Sequence, residues 1–85
     1  MKKVKIYTGP MCNYCGAAKH LLSKKKVDYT EFNIATNPAK MQEMQEKTNG
    51  ARTIPQIFIG ETYVGGYDEL KALEVAGKLD NLLKS

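Results

Sequence analysis

Cys12 and Cys15 are the only two cysteines of an 85-residue chain, and they stand in C-x-x-C spacing. On a helical turn, residues three apart are separated by about 4.5 Å of rise. That places their Cα atoms within the roughly 4.4–6.8 Å window of a disulfide, so the pair can be oxidised and reduced with little backbone movement. Gly9-Pro10 closes the segment before them, and a helical pattern follows from Asn13, so Cys12 falls where a loop becomes a helix. Free N–H groups and the positive dipole end at that position favour thiolate over thiol. Cys12 is therefore the candidate nucleophile. Cys15, one turn inside, is the candidate resolving thiol, which attacks a mixed disulfide formed on Cys12. Two other readings stand beside this one. The pair could be half of a structural zinc site, which needs four ligands where the chain adds only His20, or two buried core residues. His20 itself reads as an exposed residue of the helix.

The rest of the composition narrows the class. Two neighbouring cysteines are too few and too close to staple a small secreted fold. Hydrophobic residues make up 42% and charged residues 26%, ordinary values for a folding chain of one domain, residues 1–85. The start, Met1-Lys2-Lys3-Val4-Lys5, carries charge but no apolar run behind it. No stretch is long and apolar enough for a membrane span. The expectation is a soluble cytoplasmic protein that acts as a monomer. The net charge of +4 comes largely from two short lysine groups, Lys2, Lys3, Lys5 and Lys24, Lys25, Lys26, without interleaved aromatics. These read as solvated surface and not as a nucleic-acid interface.

The elements that position the cysteines follow from periodicity. Val4 to Thr8 alternates as a short strand ended by Gly9-Pro10, and Ala17, Ala18, Leu21 and Leu22 recur at helical steps within 13–26. Tyr29 to Ile34 reads as a second strand, which completes a unit of the length of a βαβ crossover. Asn37-Pro38 caps and opens a second helix over 38–48, with Met41 and Met44 expected to face inward and Asn49-Gly50 as the stop. Ile57-Phe58-Ile59 and Thr62-Tyr63-Val64 form an antiparallel hairpin around Gly60-Glu61. Leu70 and Leu73, then Leu79, Leu82 and Leu83, mark two closing helices. The predicted order is β-α-β-α-β-β-α-α, an α/β layer structure.

Three separated segments resemble the glutaredoxin family of the thioredoxin superfamily. Lys5-Ile6-Tyr7-Thr8 leads into Cys12-Asn13-Tyr14-Cys15. Thr53-Ile54-Pro55-Gln56-Ile57-Phe58-Ile59 resembles the family's T-V-P-Q-I-F-I, and Gly65-Gly66-Tyr67-Asp68-Glu69-Leu70 resembles its G-G-C-D-D-L. The resemblance implies a thioredoxin-like fold with a four-stranded mixed sheet flanked by helices. The activity it implies is thiol–disulfide exchange on protein disulfides and glutathionylated proteins. Glutathione is the co-substrate, and no tightly bound cofactor or resident metal is expected. It also implies a cis Pro55 beside Cys12, so that Thr53, Ile54 and Pro55 offer backbone to an incoming thiol peptide. Gly66, Tyr67 and Asp68 would hold the γ-glutamyl carboxylate of glutathione, Asp68 or Glu69 its ammonium group, and Tyr14 would pack beside it. A glycine turn with Asp68 as N-cap is the plainer reading of 65–68.

The chain also departs from the family pattern. Asn13 replaces the usual proline of the active loop, Glu69 stands where aspartate is common, and Gly9 stands where a lysine often holds the glycine carboxylate of glutathione. Lys47 or Arg52 is then the candidate replacement for that charge. Gly16 should weaken the first helix by roughly 1 kcal/mol relative to alanine. Two rival functions remain at this stage. One is a hydrogen donor reduced by a thioredoxin-reductase-type flavoprotein; the other is a carrier of an iron–sulfur cluster ligated by Cys12 and glutathione.

Overall fold

A computed structural model describes residues 2–84. Its elements are β1 (Val4–Thr8), α1 (Asn13–Lys24), β2 (Tyr29–Asn33), α2 (Pro38–Lys47), β3 (Gln56–Ile59), β4 (Thr62–Gly65), α3 (Tyr67–Val75) and α4 (Leu79–Lys84). The four strands form one sheet in the order β2-β1-β3-β4. β1 runs parallel to β2 and antiparallel to β3, and β3 is antiparallel to β4. The sheet is therefore mixed, and the predicted element order holds throughout.

Period-two alternation divides the core between the two faces of the sheet. Val4, Ile6, Ile57 and Ile59 pack with Ala18, Leu21 and Leu22 of α1, Leu70 of α3, and Leu79 and Leu83 of α4. Burying each of these large aliphatic side chains contributes about 1.5–3 kcal/mol. The opposite face is smaller and aromatic: Tyr7 and Phe58 meet Met44 of α2, with Phe32, Ile34 and Ile54 around them. Tyr7 is fully buried, and its hydroxyl donates to the Glu43 carboxylate. Burial first, and the bond to Glu43 second, hold this phenol far above the ordinary tyrosine range.

The structure moves several predicted boundaries. α1 ends at Lys24 and not Lys26, because Lys26 takes a φ of 58°, a left-handed conformation that no helix continues. β2 stops at Asn33, and Ile34 lies beyond it, its N–H donating to the Thr8 carbonyl. α2 ends at Lys47, with Thr48 as its C-cap. Met41 does not face inward; it is 41% exposed, whereas Met44 is fully buried. Three residues advance a helix by about 300°, so the two methionines point in directions about 60° apart, and only Met44 meets the sheet. The stop at Asn49-Gly50 holds, both residues having positive φ.

Candidate functional site

The turn after β1 delivers Cys12 to the start of α1, where it is the N-cap residue with extended backbone, φ −111° and ψ 101°. Its Sγ accepts the backbone N–H of Cys15 at 3.1 Å. The sulfur thereby occupies the place of the side-chain oxygen that usually caps a helix. Cys12 and Cys15 are joined as a disulfide with a Cα–Cα distance of 5.2 Å, inside the window expected from their spacing. Cys12 is half-buried and Cys15 is 2% exposed. A thiolate arriving from solvent therefore reaches Cys12 first. When the bond opens, the same Cys15 N–H is already aimed at the Cys12 sulfur, a donor that stabilises its anion.

The segment before β3 lies against this sulfur. The Ile54–Pro55 peptide is cis, as the family resemblance implies, and the Ile54 carbonyl oxygen is 3.8 Å from Cys12 Sγ. A bridged sulfur has no hydrogen, so this is a contact in the oxidised form and becomes an S–H···O bond only in the thiol. From there a cleft of about 210 Å³ opens toward the start of α3. It is lined by Tyr14, Thr53, Ile54, Pro55, Gly66, Tyr67, Asp68 and Glu69, which are the eight residues singled out in the sequence beside the two cysteines. Tyr14, 62% exposed, stacks on Tyr67 with ring centroids 6.0 Å apart and forms one wall.

The opposite end of the cleft is the N-terminus of α3. Gly66 is its N-cap, and Glu69 Oε1 accepts the Gly66 N–H at 2.6 Å. The carboxylate that caps this helix thus comes from Glu69 and not from Asp68, which leaves Asp68 exposed at the cleft. Gly65 is buried with a φ of 114°, a conformation open essentially to glycine alone. A Cβ there would lie 2.8 Å from Glu69 Oε1. The two glycines therefore let the chain turn tightly into α3 with its cap in place.

The cleft lining carries two carboxylates and no cation. Lys47, a candidate for that charge, lines a different cleft with Lys5, Phe58, Gly60, Glu61 and Tyr63, and its ammonium stands 5.9 Å from the centre of the Phe58 ring. Arg52 is exposed and is not part of the lining. At Gly9, the position where the family pattern often has a lysine, a Cβ would come 2.7 Å from Ile54 Cδ1, so a side chain there requires the end of the isoleucine to turn aside. His20 is exposed on α1, as expected.

Sequence reasoning gave no role to Gln56 or Tyr63. Gln56 opens β3 with its side chain buried and donates through Nε2 to the Thr53 carbonyl at 2.9 Å and to Thr53 Oγ1 at 3.2 Å. Tyr63 donates its hydroxyl to Gln56 Oε1. A polar residue at the head of the otherwise apolar run Gln56-Ile57-Phe58-Ile59 was the available signal.

A disulfide whose outward sulfur is open to attack while the inward one stays within reach to reclose it does one kind of chemistry. On a mixed sheet with this strand order, it defines a thioredoxin-fold thiol–disulfide oxidoreductase. The family model described as Glutaredoxin matches residues 4–64. The glutaredoxin of Pseudomonas aeruginosa is 51% identical over 85 residues, with all of both chains covered. Among solved structures, the glutaredoxin of Brucella melitensis superposes with a TM-score of 0.84 at 50% identity, covering 99% of this chain and 90% of its own. A buckwheat glutaredoxin–glutathione complex superposes with a TM-score of 0.84 at 25% identity, covering 94% and 74%. The chain belongs to the glutaredoxin family, and its C-N-Y-C pair makes it a dithiol member.

Proposed function

We propose that this chain reduces glutathionylated proteins and protein disulfides with glutathione as the electron source. The observation that carries the proposal is the cleft that begins at the Ile54 carbonyl beside Cys12 and ends at the N-terminus of α3. Its two ends match a γ-glutamyl tripeptide joined through its sulfur. Ile54 presents backbone for strand-like pairing with the central cysteine. The free N–H groups of Tyr67 and Asp68 and the dipole of α3 attract a carboxylate, and the Asp68 carboxylate pairs with the neighbouring ammonium. The buckwheat relative, solved with glutathione, supports this reading.

In the reaction, the Cys12 thiolate attacks the glutathione sulfur of a protein–glutathione disulfide. The new S–S bond joins Cys12 to glutathione, and the protein thiolate leaves and takes up a proton. A second glutathione thiolate then attacks the glutathione sulfur on Cys12, which releases oxidised glutathione and regenerates the thiolate. With a protein disulfide, Cys12 becomes bonded to the protein. Cys15 loses its proton and attacks Cys12, expelling the second protein thiol and closing the Cys12–Cys15 bond, which two glutathiones reopen. Cys12 is the nucleophile because its sulfur is the accessible one and holds the Cys15 N–H; Cys15 resolves because it is buried one turn behind.

The whole chain, 1–85, is proposed to act as one domain, as a monomer in the cytoplasm, where thiols stay reduced. Among the described residues, no helix is long and apolar enough to cross a membrane. The test is a coupled assay with glutathione, glutathione reductase and a small glutathione mixed disulfide. Robust turnover is expected. No turnover, together with direct reduction of the protein by thioredoxin reductase, would overturn the glutathione reading.

A further inference from the structure

We infer that Gln56, oriented by Tyr63, is a positioning residue that aims the Ile54 N–H into the cleft, and so sets how tightly the substrate peptide is held opposite Cys12. The inference rests on the proposed pairing of substrate with Ile54.

The direction of each hydrogen bond can be worked out from the chemistry of the groups. A carbonyl only accepts, so the side of the Gln56 amide that faces the Thr53 carbonyl at 2.9 Å must be its NH₂. Its oxygen is then turned to Tyr63, whose phenol must be the donor. Burial first, and the nearby Glu69 charge second, raise the pKa of that phenol, which keeps it protonated and donating beyond the usual range. The placement follows from the sheet. Phe58 and Tyr63 are register partners on adjacent strands and Gln56 lies two residues along, so Tyr63 reaches it on the diagonal of the same face. The Tyr63 ring rests on Phe58 with centroids 5.0 Å apart, which fixes the hydroxyl over the amide.

The effect on the site follows from the planarity of the peptide bond. The Thr53 carbonyl and the Ile54 N–H belong to one rigid plane and point in opposite directions. Anchoring the carbonyl inward to a buried amide therefore turns the Ile54 N–H outward. Among the described residues that N–H has no partner within the protein, so it is left for the substrate. The second bond, from Gln56 Nε2 to Thr53 Oγ1, closes the remaining rotation of the plane. Without the amide, Thr53 has no partner on β3, and residues 53–54, which lie outside any strand, can reorient.

An interaction made equally in ground state and transition state changes KM and leaves kcat alone. Gln56→Met keeps the length and removes all three hydrogen bonds, while the hydroxyl of the half-exposed Tyr63 can turn to water. Its KM for a glutathione mixed disulfide should rise about five- to tenfold, the scale of one lost hydrogen bond, with kcat and the Cys12 thiol pKa unchanged. Tyr63→Phe should raise KM in the same direction by about two- to threefold. The double variant should be no worse than Gln56→Met, because both changes act through one amide. A KM for Gln56→Met within twofold of the parent, a fall in kcat at constant KM, or multiplicative effects in the double variant would overturn the inference. Should Gln56→Met fail to fold, Tyr63→Phe decides the matter: unchanged KM sinks the relay. If the parent protein itself shows no glutathione turnover, the glutathione reading fails. The same KM pattern is then measured with a protein disulfide and thioredoxin reductase, since pairing at Ile54 does not depend on the ends of the tripeptide.

Discussion

Replacing Gly65 by alanine should cost this small protein a large share of its stability and disorganise the far end of the cleft. The residue is buried, its φ is 114°, and a new Cβ would lie 2.8, 3.0 and 3.2 Å from Oε1, Cγ and Cδ of Glu69. If the backbone keeps its path, alanine is strained by about 1–3 kcal/mol. Glu69 must also swing away and surrender the Gly66 N–H that it accepts at 2.6 Å, which costs about 1 kcal/mol of capping. The expected loss is about 2–4 kcal/mol, or a fall in Tm of about 10–25 °C for a domain of this size. Urea unfolding followed by circular dichroism measures it. Glu69→Ala alone should lose about 1 kcal/mol. The double variant Gly65→Ala/Glu69→Ala should lose less than the sum, because the collision disappears with the side chain. A Gly65→Ala protein within 0.5 kcal/mol of the parent would refute the reasoning, and strict additivity would show that Glu69 is not what the new methyl meets.

Gly16→Ala should act in the opposite sense: nothing beyond its chain neighbours and its own helix backbone lies within 4 Å of the added methyl and the backbone is helical, so a gain of about 0.5–1 kcal/mol is expected in the same unfolding experiment. Cys12→Ser should abolish all exchange, while Cys15→Ser should keep the reduction of glutathione mixed disulfides and lose most reduction of protein disulfides; equal loss in both would contradict the roles assigned to them. Asp68→Asn should raise KM for glutathione about three- to tenfold with little change in stability, because its carboxylate is exposed at the cleft and does not cap α3; an unchanged KM would remove it from the ammonium site. Glu31 is held below the usual glutamate range first by the Thr8 hydroxyl and then by Lys19, and Glu43 first by the Tyr7 hydroxyl and then by Lys40. Both folded pKa values lie below the unfolded ones. Their stabilisation is therefore present above the ordinary glutamate pKa and is lost as pH falls through the depressed folded values. Glu31→Gln should accordingly flatten the acid limb of a stability–pH curve, and a limb as steep as the parent's would contradict this.

Much of this protein could be read from local pattern. Alternation at Val4 and Ile6, helical steps at Leu21 and Leu22, and Asn37-Pro38 are properties of neighbouring residues, and they set the elements with boundary errors of one or two positions. The spacing of Cys12 and Cys15 likewise carried its own chemistry, because three residues on a helical turn stand at bonding distance whatever the rest of the chain does. Periodicity fixes only the relative directions of Met41 and Met44 on α2, and the packing of that helix on Tyr7 and Phe58 decides that Met44 is the buried one.

What required the tertiary structure is contact between residues far apart in the chain. Ile54 touches Cys12 across 42 positions. A side chain at position 9 would meet the tip of Ile54, which comes from another loop. Gln56 could be quoted as part of a motif, yet the bond it accepts from Tyr63 exists only because β4 folds back onto β3. The reactive pair was therefore determined by sequence-local geometry, and the cleft that chooses its partner by packing between distant segments, which no local pattern encodes.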